Sequence, residues 1–154
     1  MRKYENLECL HENTLKPRSY YIPYDTEKKA KNGDKTKSDY YTLLNGEWDF
    51  RYYARDIDCP EKITEWDKVT VPSCWQMKGY GRKHYSNVRF LYPVNPPYVP
   101  AESAVGCYMR SFSLPKKWNG EKIYINFDGV RSSFFIWVNG KMLGFGQGSH
   151  TRNT

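Results

Sequence analysis

Residues 134–145 read as two apolar runs joined by Asn139-Gly140. Phe134, Ile136 and Val138 alternate with Phe135 and Trp137, and Lys141 to Phe145 follows the turn. Asn and Gly both tolerate the positive φ of a type I′ turn, whose twist matches that of two paired strands. This makes the pair the strongest short-range hairpin signal a sequence can carry. The same period of two recurs upstream. Trp48, Phe50 and Tyr52 alternate with Asp49 and Arg51 just after Asn45-Gly46, and Lys68 to Val71 is stopped by Pro72. Gly106 to Leu114 reads as a strand with Tyr108, Arg110, Phe112 and Leu114 on one face, and Ile123, Ile125 and Phe127 alternate with Tyr124 and Asn126. Short strands at this spacing predict an all-β sandwich or barrel. They amount to about five or six strands, where an immunoglobulin-type sandwich has about seven to nine. The domain over residues 42–154 is therefore expected to be truncated before its last strands. The sheet edge so exposed predicts poor stability in isolation.

Two segments fall outside this pattern. Residues 1–41 read as an extended N-terminal arm: Lys16-Pro17-Arg18 and Ile22-Pro23-Tyr24 are extended X-Pro stretches, and Asn32-Gly33-Asp34 is a turn signal. Residues 72–105 have no clean period and hold Pro72, Pro93, Pro96, Pro97 and Pro100, which predicts a long ordered loop region of the kind that often carries function. With 17% aromatic residues the chain is too aromatic for wholesale disorder. No apolar run approaches the roughly 18 residues of a membrane helix. No apolar stretch follows Met1-Arg2-Lys3-Tyr4-Glu5-Asn6, so no signal peptide is read and a cytoplasmic address is expected. Cys9, Cys59, Cys74 and Cys107 are far apart, form no CxxC pair and make no zinc spacing with His11, His84 and His150; four reduced thiols are expected.

Charge is uneven. The chain carries 24 Lys and Arg against 17 Asp and Glu, net +7, and residues 68–101 hold no acid at all. Lys68, Lys78, Arg82, Lys83 and Arg89 fall in that stretch, interleaved with Trp75, Tyr80, Tyr85, Phe90, Tyr92 and Tyr98. Such a composition fits a nucleic-acid surface, a sugar site, or a loop packed on an acidic neighbouring domain. Glycoside hydrolysis takes two carboxyl groups about 5–5.5 Å apart when configuration is retained. Spacing selects no such pair here: Asp56, Asp58, Glu61, Glu65 and Asp67 read as solvated charges. Asp128, between Phe127 and Gly129, reads as a buried acid that would bond turn N–H groups. No GxSxG or phosphate loop is present. Asn87 in His84-Tyr85-Ser86-Asn87-Val88 stands out, because one amide offers an acceptor and two donors to a sugar hydroxyl while aromatic faces cover the ring's C–H side. Capping a turn is the structural alternative for the same side chain.

These strings occur in register with a known pattern. Leu44-Asn45-Gly46-Glu47-Trp48-Asp49-Phe50 resembles the LNGxWxF opening of family 2 glycoside hydrolases, and Val71-Pro72-Ser73-Cys74-Trp75-Gln76-Met77 with Gly79-Tyr80 resembles their VPSxWQMxGY. Tyr85-Ser86-Asn87-Val88 and Pro93-Val94-Asn95-Pro96-Pro97 with Val99-Pro100 resemble a loop of the β-galactosidase branch. Gly106-Cys107-Tyr108, Phe127-Asp128-Gly129-Val130 through Asn139-Gly140, and Gly144 to Ser149 continue the match in order, although His150 stands where the family often has Arg.

The resemblance implies a jelly-roll β-sandwich, galactose-binding-domain-like, serving as the non-catalytic first domain of an enzyme that hydrolyses terminal β-D-galactose. No catalytic residue is expected in this chain, since the family's glutamates lie on a later (β/α)₈ barrel; the fragment alone is expected to be inactive. Asn87, with Val88 beside it, falls on the family's first-domain position that reaches the galactose. Magnesium and sodium are implied for the intact enzyme, with ligands outside this stretch and no cofactor bound by it. The partners implied are a β-galactoside, the enzyme's remaining domains and further copies in a homo-oligomer, not nucleic acid or a membrane. A stand-alone carbohydrate-binding module and a nucleic-acid-binding β-barrel are the alternatives.

Overall fold

A computed structural model of the chain describes residues 2–85, 87, 90 and 92–154. The described residues form an all-β structure, with two three-stranded antiparallel sheets and one short α-helix among them. Its contacts group into two compact units. One is Thr42–Leu114; the other combines the chain up to Tyr41 with Pro115–Thr154.

In the unit Thr42–Leu114, two-residue alternation builds the sheet. Its strands are β2 (Gly46–Tyr53), β3 (Asp67–Val71) and β4 (Val105–Met109), with β2 central. Trp48 lies opposite Val69, and Phe50 opposite Tyr108. Phe50 is 0% exposed, and its ring meets Tyr108 at 4.7 Å and Tyr80 at 4.8 Å between centroids. Trp75, on the 3-10 turn Trp75–Lys78, closes over the same ring. That closure explains Gly106, because a Cβ there would lie 2.3 Å from the Trp75 ring and 2.8 Å from Phe50.

The strand expected from Gly106 to Leu114 stops at Met109. The reason is Arg110, whose Nη1 donates to the carbonyls of Leu44 at 2.8 Å and Asn45 at 2.9 Å and reaches Glu47 O at 3.5 Å. A side chain thus occupies carbonyls at the entry to β2, where a longer β4 would have continued the ladder.

The other unit holds β1 (His11–Glu12), β5 (Ser133–Val138) and β6 (Lys141–Gln147), in the order β1-β6-β5. Asn139 and Gly140 take φ of 51° and 77°, as the type I′ turn requires. Phe145 is buried against Phe135 at 4.8 Å. Residues 123–127 alternate like a strand, yet only Phe127 pairs, with Asn153, by two backbone bonds. Alternation marks which side chains share a face; it supplies no neighbouring strand.

The first 41 residues are tied down by specific bonds. β1 pairs with β6 through His11 and Glu12, and Gly144 makes room for it, since a Cβ there would lie 2.7 Å from the Glu12 carbonyl. Helix α1 (Glu27–Asn32) has Thr26 as N-cap and Gly33 as a left-handed C-cap. Asp39 accepts from Lys117 and lies 3.5 Å from Lys29, while Trp118 Nε1 donates to the Asp39 carbonyl at 2.9 Å. Asp128 is exposed and not the buried turn acid expected. It accepts from Arg152 Nε at 2.7 Å, and the Arg152 guanidinium stacks 3.3 Å over Tyr20. A strong cation was within reach, so solvent and an ion pair satisfy this carboxylate.

Candidate functional site

The candidate site is built on the connection from β3 to β4. Pro72 cannot donate to a ladder, so β3 ends at Val71 and the chain leaves the sheet. Its first part packs downward. Trp75 and Tyr80 lie on Phe50 and Tyr52, and burial, then the Asp67 carboxylate beside it, push the Tyr80 hydroxyl up from its ordinary pKa. Gly79 caps the 3-10 turn with φ of 93°.

From Gly81 onward the chain turns outward. Arg82, Lys83, His84, Tyr85, Asn87 and Phe90 are exposed, Tyr85 at 76% and Phe90 at 85%. Tyr92, Val94 and Tyr98 are exposed as well. The return to β4 is fixed by backbone and hydroxyl bonds: Tyr98 N–H donates to Asn95 O at 2.9 Å, and Ser103 Oγ donates to Pro100 O at 2.9 Å. Large apolar side chains are exposed elsewhere too, Tyr21, Ile57 and Trp137 among them, and what distinguishes this stretch is its company. Here they sit among cations with no acid between Asp67 and Glu102.

Asn87 stands in this exposed stretch. Its Nδ2 lies 3.4 Å from the Tyr85 hydroxyl, a long bond that draws the amide to the aromatic ring two residues back. The pair therefore presents a donor–acceptor amide, a phenol and an apolar ring face within one short segment. This is the chemistry a pyranose needs: directional bonds for its hydroxyls and a flat apolar surface for its C–H face. The sequence singles out Asn87 and its aromatic surroundings, while the link to Tyr85 depends on the local loop geometry. Val88, the other residue singled out, lies outside the described residues.

Four of the five acids read as solvated are exposed, while Asp56, the first residue of its 3-10 turn, is half-buried. Asp58, Glu61, Glu65 and Asp67 are exposed; Asp58 pairs with Arg55 and Glu65 with Arg51. Among the described residues, no group of three or more His, Cys, Asp or Glu side chains converges to hold a metal ion. No helix among them is long and apolar enough to cross a membrane. A cleft of about 230 Å³ in the other unit lies between residues 11–17 and 151–153 and includes none of the loop residues.

Comparison with known proteins converges on one family. A family model described as "Glycosyl hydrolases family 2, sugar binding domain" matches residues 41–154. A β-galactosidase of Actinobacillus pleuropneumoniae is 36% identical over 150 residues, covering 96% of this chain and 15% of the relative. One of Priestia megaterium is 35% identical over 159 residues, covering 95% of the chain and 15% of the relative. One of Alteromonas mediterranea is 40% identical over 117 residues, 70% of the chain and 11% of the relative. The chain thus spans about 15% of the length of the first two relatives. With a family model that matches residues 41–154 and so takes in the whole loop, the chain belongs to the sugar-binding domain family of the family 2 glycosyl hydrolases.

Proposed function

We propose that this chain is the non-catalytic N-terminal domain of a β-galactosidase, which hydrolyses terminal non-reducing β-D-galactose residues of lactose-type substrates, and that its β3–β4 loop forms one wall of the galactose site. Asn87 orients a sugar hydroxyl through its amide, with Val88 next to it in sequence and the Tyr85 hydroxyl 3.4 Å from the amide nitrogen. The observation that carries this reading is the extent of the likeness: 36% identity over 96% of the chain to a β-galactosidase, inside a sugar-binding family model.

The division of labour follows from chemistry. A retaining glycosidase needs a nucleophilic carboxylate and an acid/base carboxyl across the scissile bond. Residues 68–101 supply neither, so this wall binds and positions while the carboxylates come from the remaining domains of the same enzyme. Magnesium and sodium, which the family resemblance implies for the intact enzyme, are assigned to those other domains too. In the intact enzyme the partners are the substrate, the remaining domains and further copies of the chain, in the cytoplasm; nucleic acid and membrane are not among them.

The isolated chain tests this reading. It is expected to give no turnover of a chromogenic β-galactoside; turnover above background would overturn the assignment. Calorimetric titration with galactose separates the alternatives. Millimolar or tighter binding by the lone chain, lost in Asn87→Ala, would favour a stand-alone carbohydrate-binding module. Oligonucleotide binding that falls steeply with salt would favour a nucleic-acid-binding barrel.

A further inference from the structure

Cys59 and Cys107 are 48 positions apart in sequence, yet their sulfurs lie 3.5 Å apart, both partly buried. Backbone anchors hold each of them. Cys107 sits in β4 opposite Arg51 of β2. Cys59 follows the 3-10 turn Asp56–Asp58, whose first amide donates to Ser103 O at 2.8 Å, just ahead of β4. Arg55 grips Asp58 with two bonds of 2.7 and 2.6 Å across that turn. The approach of the two sulfurs is therefore a consequence of the fold.

We infer that Cys59 and Cys107 form a reversible intrachain disulfide when the chain meets a peroxide. Closing from 3.5 Å to a bond of about 2.05 Å needs roughly 1.5 Å of sulfur travel, within reach of side-chain rotation. No third ligating side chain accompanies them among the described residues, which leaves oxidation as the chemistry a thiol pair supports. Burial, then the neighbouring Cys59, pushes the Cys107 thiol up to about 12, so it is a poor first nucleophile at neutral pH.

Cys59 accordingly reacts first. Its sulfur attacks a peroxide oxygen, the O–O bond breaks, and Cys59 becomes a sulfenic acid as one water leaves. The Cys107 sulfur then displaces the sulfenic oxygen, the S–S bond forms and a second water departs. Two thiols lose two electrons in all, and the peroxide gains them. The two remaining cysteines are not paired in this way: Cys74 is exposed and donates to Gln76 Oε1, and Cys9 belongs to the other unit.

The test is to treat the 154-residue chain with hydrogen peroxide, block residual thiols with N-ethylmaleimide, and map peptides by mass spectrometry without reduction. The expected product is a monomer two hydrogens lighter, with the Cys59 and Cys107 peptides linked and separated again by dithiothreitol. Cys59→Ser and Cys107→Ser should each abolish the link. Should Cys107→Ser fail to fold, Cys59→Ser carries the test, because Cys59 lies outside the strands. The same oxidation in guanidinium should scatter linkage over several pairings. Recovery of Cys59 and Cys107 unlinked, a dominant link through Cys9 or Cys74, or the same distribution with and without guanidinium would each overturn the inference.

Discussion

The amide nitrogen of Asn87 lies 3.4 Å from the hydroxyl of Tyr85, on a segment where both side chains face solvent. Two exposed groups at this distance gain little from each other, since water competes for both. On the proposed function, their value is as a pair that meets the sugar. In the complete enzyme, Asn87→Ala should lower kcat/KM for a galactoside by about three- to tenfold, the worth of one neutral hydrogen bond. Tyr85→Phe keeps the ring and removes only the hydroxyl that holds the amide, so its loss should be smaller. Steady-state kinetics of the two variants give the order; equal activity of Asn87→Ala and the parent enzyme would count against the role of the amide.

Arg110 bridges two β2-entry carbonyls, those of Leu44 and Asn45, with its guanidinium 5.9 Å from the Trp48 ring. Arg110→Ala removes the side-chain donor to the Asn45 carbonyl and leaves Leu44 O with the Trp48 Nε1 bond of 2.8 Å, so it should destabilise the chain by about 1–2 kcal/mol. Arg110→Lys should recover only part of that, because an ammonium lacks the planar fork. Urea unfolding followed by tryptophan fluorescence measures both; an Arg110→Lys midpoint equal to that of the parent chain would refute the fork argument.

Gly106→Ala places a methyl group 2.3 Å from Trp75 and 2.8 Å from Phe50, distances that no relaxed packing permits. We expect a loss of about 1–3 kcal/mol, the range for an overpacked core, together with a changed near-ultraviolet aromatic signal. An unchanged spectrum would mean that Trp75 does not close over β4.

Three carboxyls, Asp58 exposed and Asp34 and Asp39 half-buried, have folded-state pKa values lowered from their ordinary value. Hydrogen bonding from Lys117, with Lys29 nearby, depresses Asp39; bonding from Arg55 depresses Asp58; and bonding from Thr36 depresses Asp34. A depressed carboxyl stabilises the fold above its unfolded pKa and loses that contribution as pH falls through the folded value. The midpoint of unfolding should therefore decline below about pH 4, the ordinary carboxylate range. For Asp39 and Asp58, whose partners are cations, salt should blunt the effect, since these pairs are screened. A midpoint flat from pH 5 to pH 2 would contradict this.

Sequence alone shows much of the fold, for identifiable reasons. Alternation at Trp48-Phe50-Tyr52 and the Asn139-Gly140 turn encode β2 and the β5–β6 hairpin locally, and these elements form at those positions. What is hidden depends on partners distant in sequence. His11–Glu12 has no apolar signal, yet it becomes a strand because β6 offers an edge and Gly144 gives clearance. Alternation at Ile123–Phe127 marks faces but finds only Asn153 as a backbone neighbour. The Cys59–Cys107 approach is invisible because 48 positions separate two residues that β4 and the Asp56–Asp58 turn bring together. At the candidate site, the basic and aromatic composition of residues 68–101 and the amide of Asn87 can be read in the sequence, while the bond to Tyr85 depends on loop geometry that no period encodes.

The central claim is that this loop positions galactose for carboxylates carried elsewhere in the polypeptide. The most direct measurement compares hydrolysis of a chromogenic β-galactoside by the 154-residue chain, by a full-length β-galactosidase that includes it, and by that enzyme carrying Asn87→Ala. The account predicts no turnover from the chain, turnover from the full polypeptide, and reduced kcat/KM in the variant. Hydrolysis by the chain alone, or full activity in the variant, would contradict it.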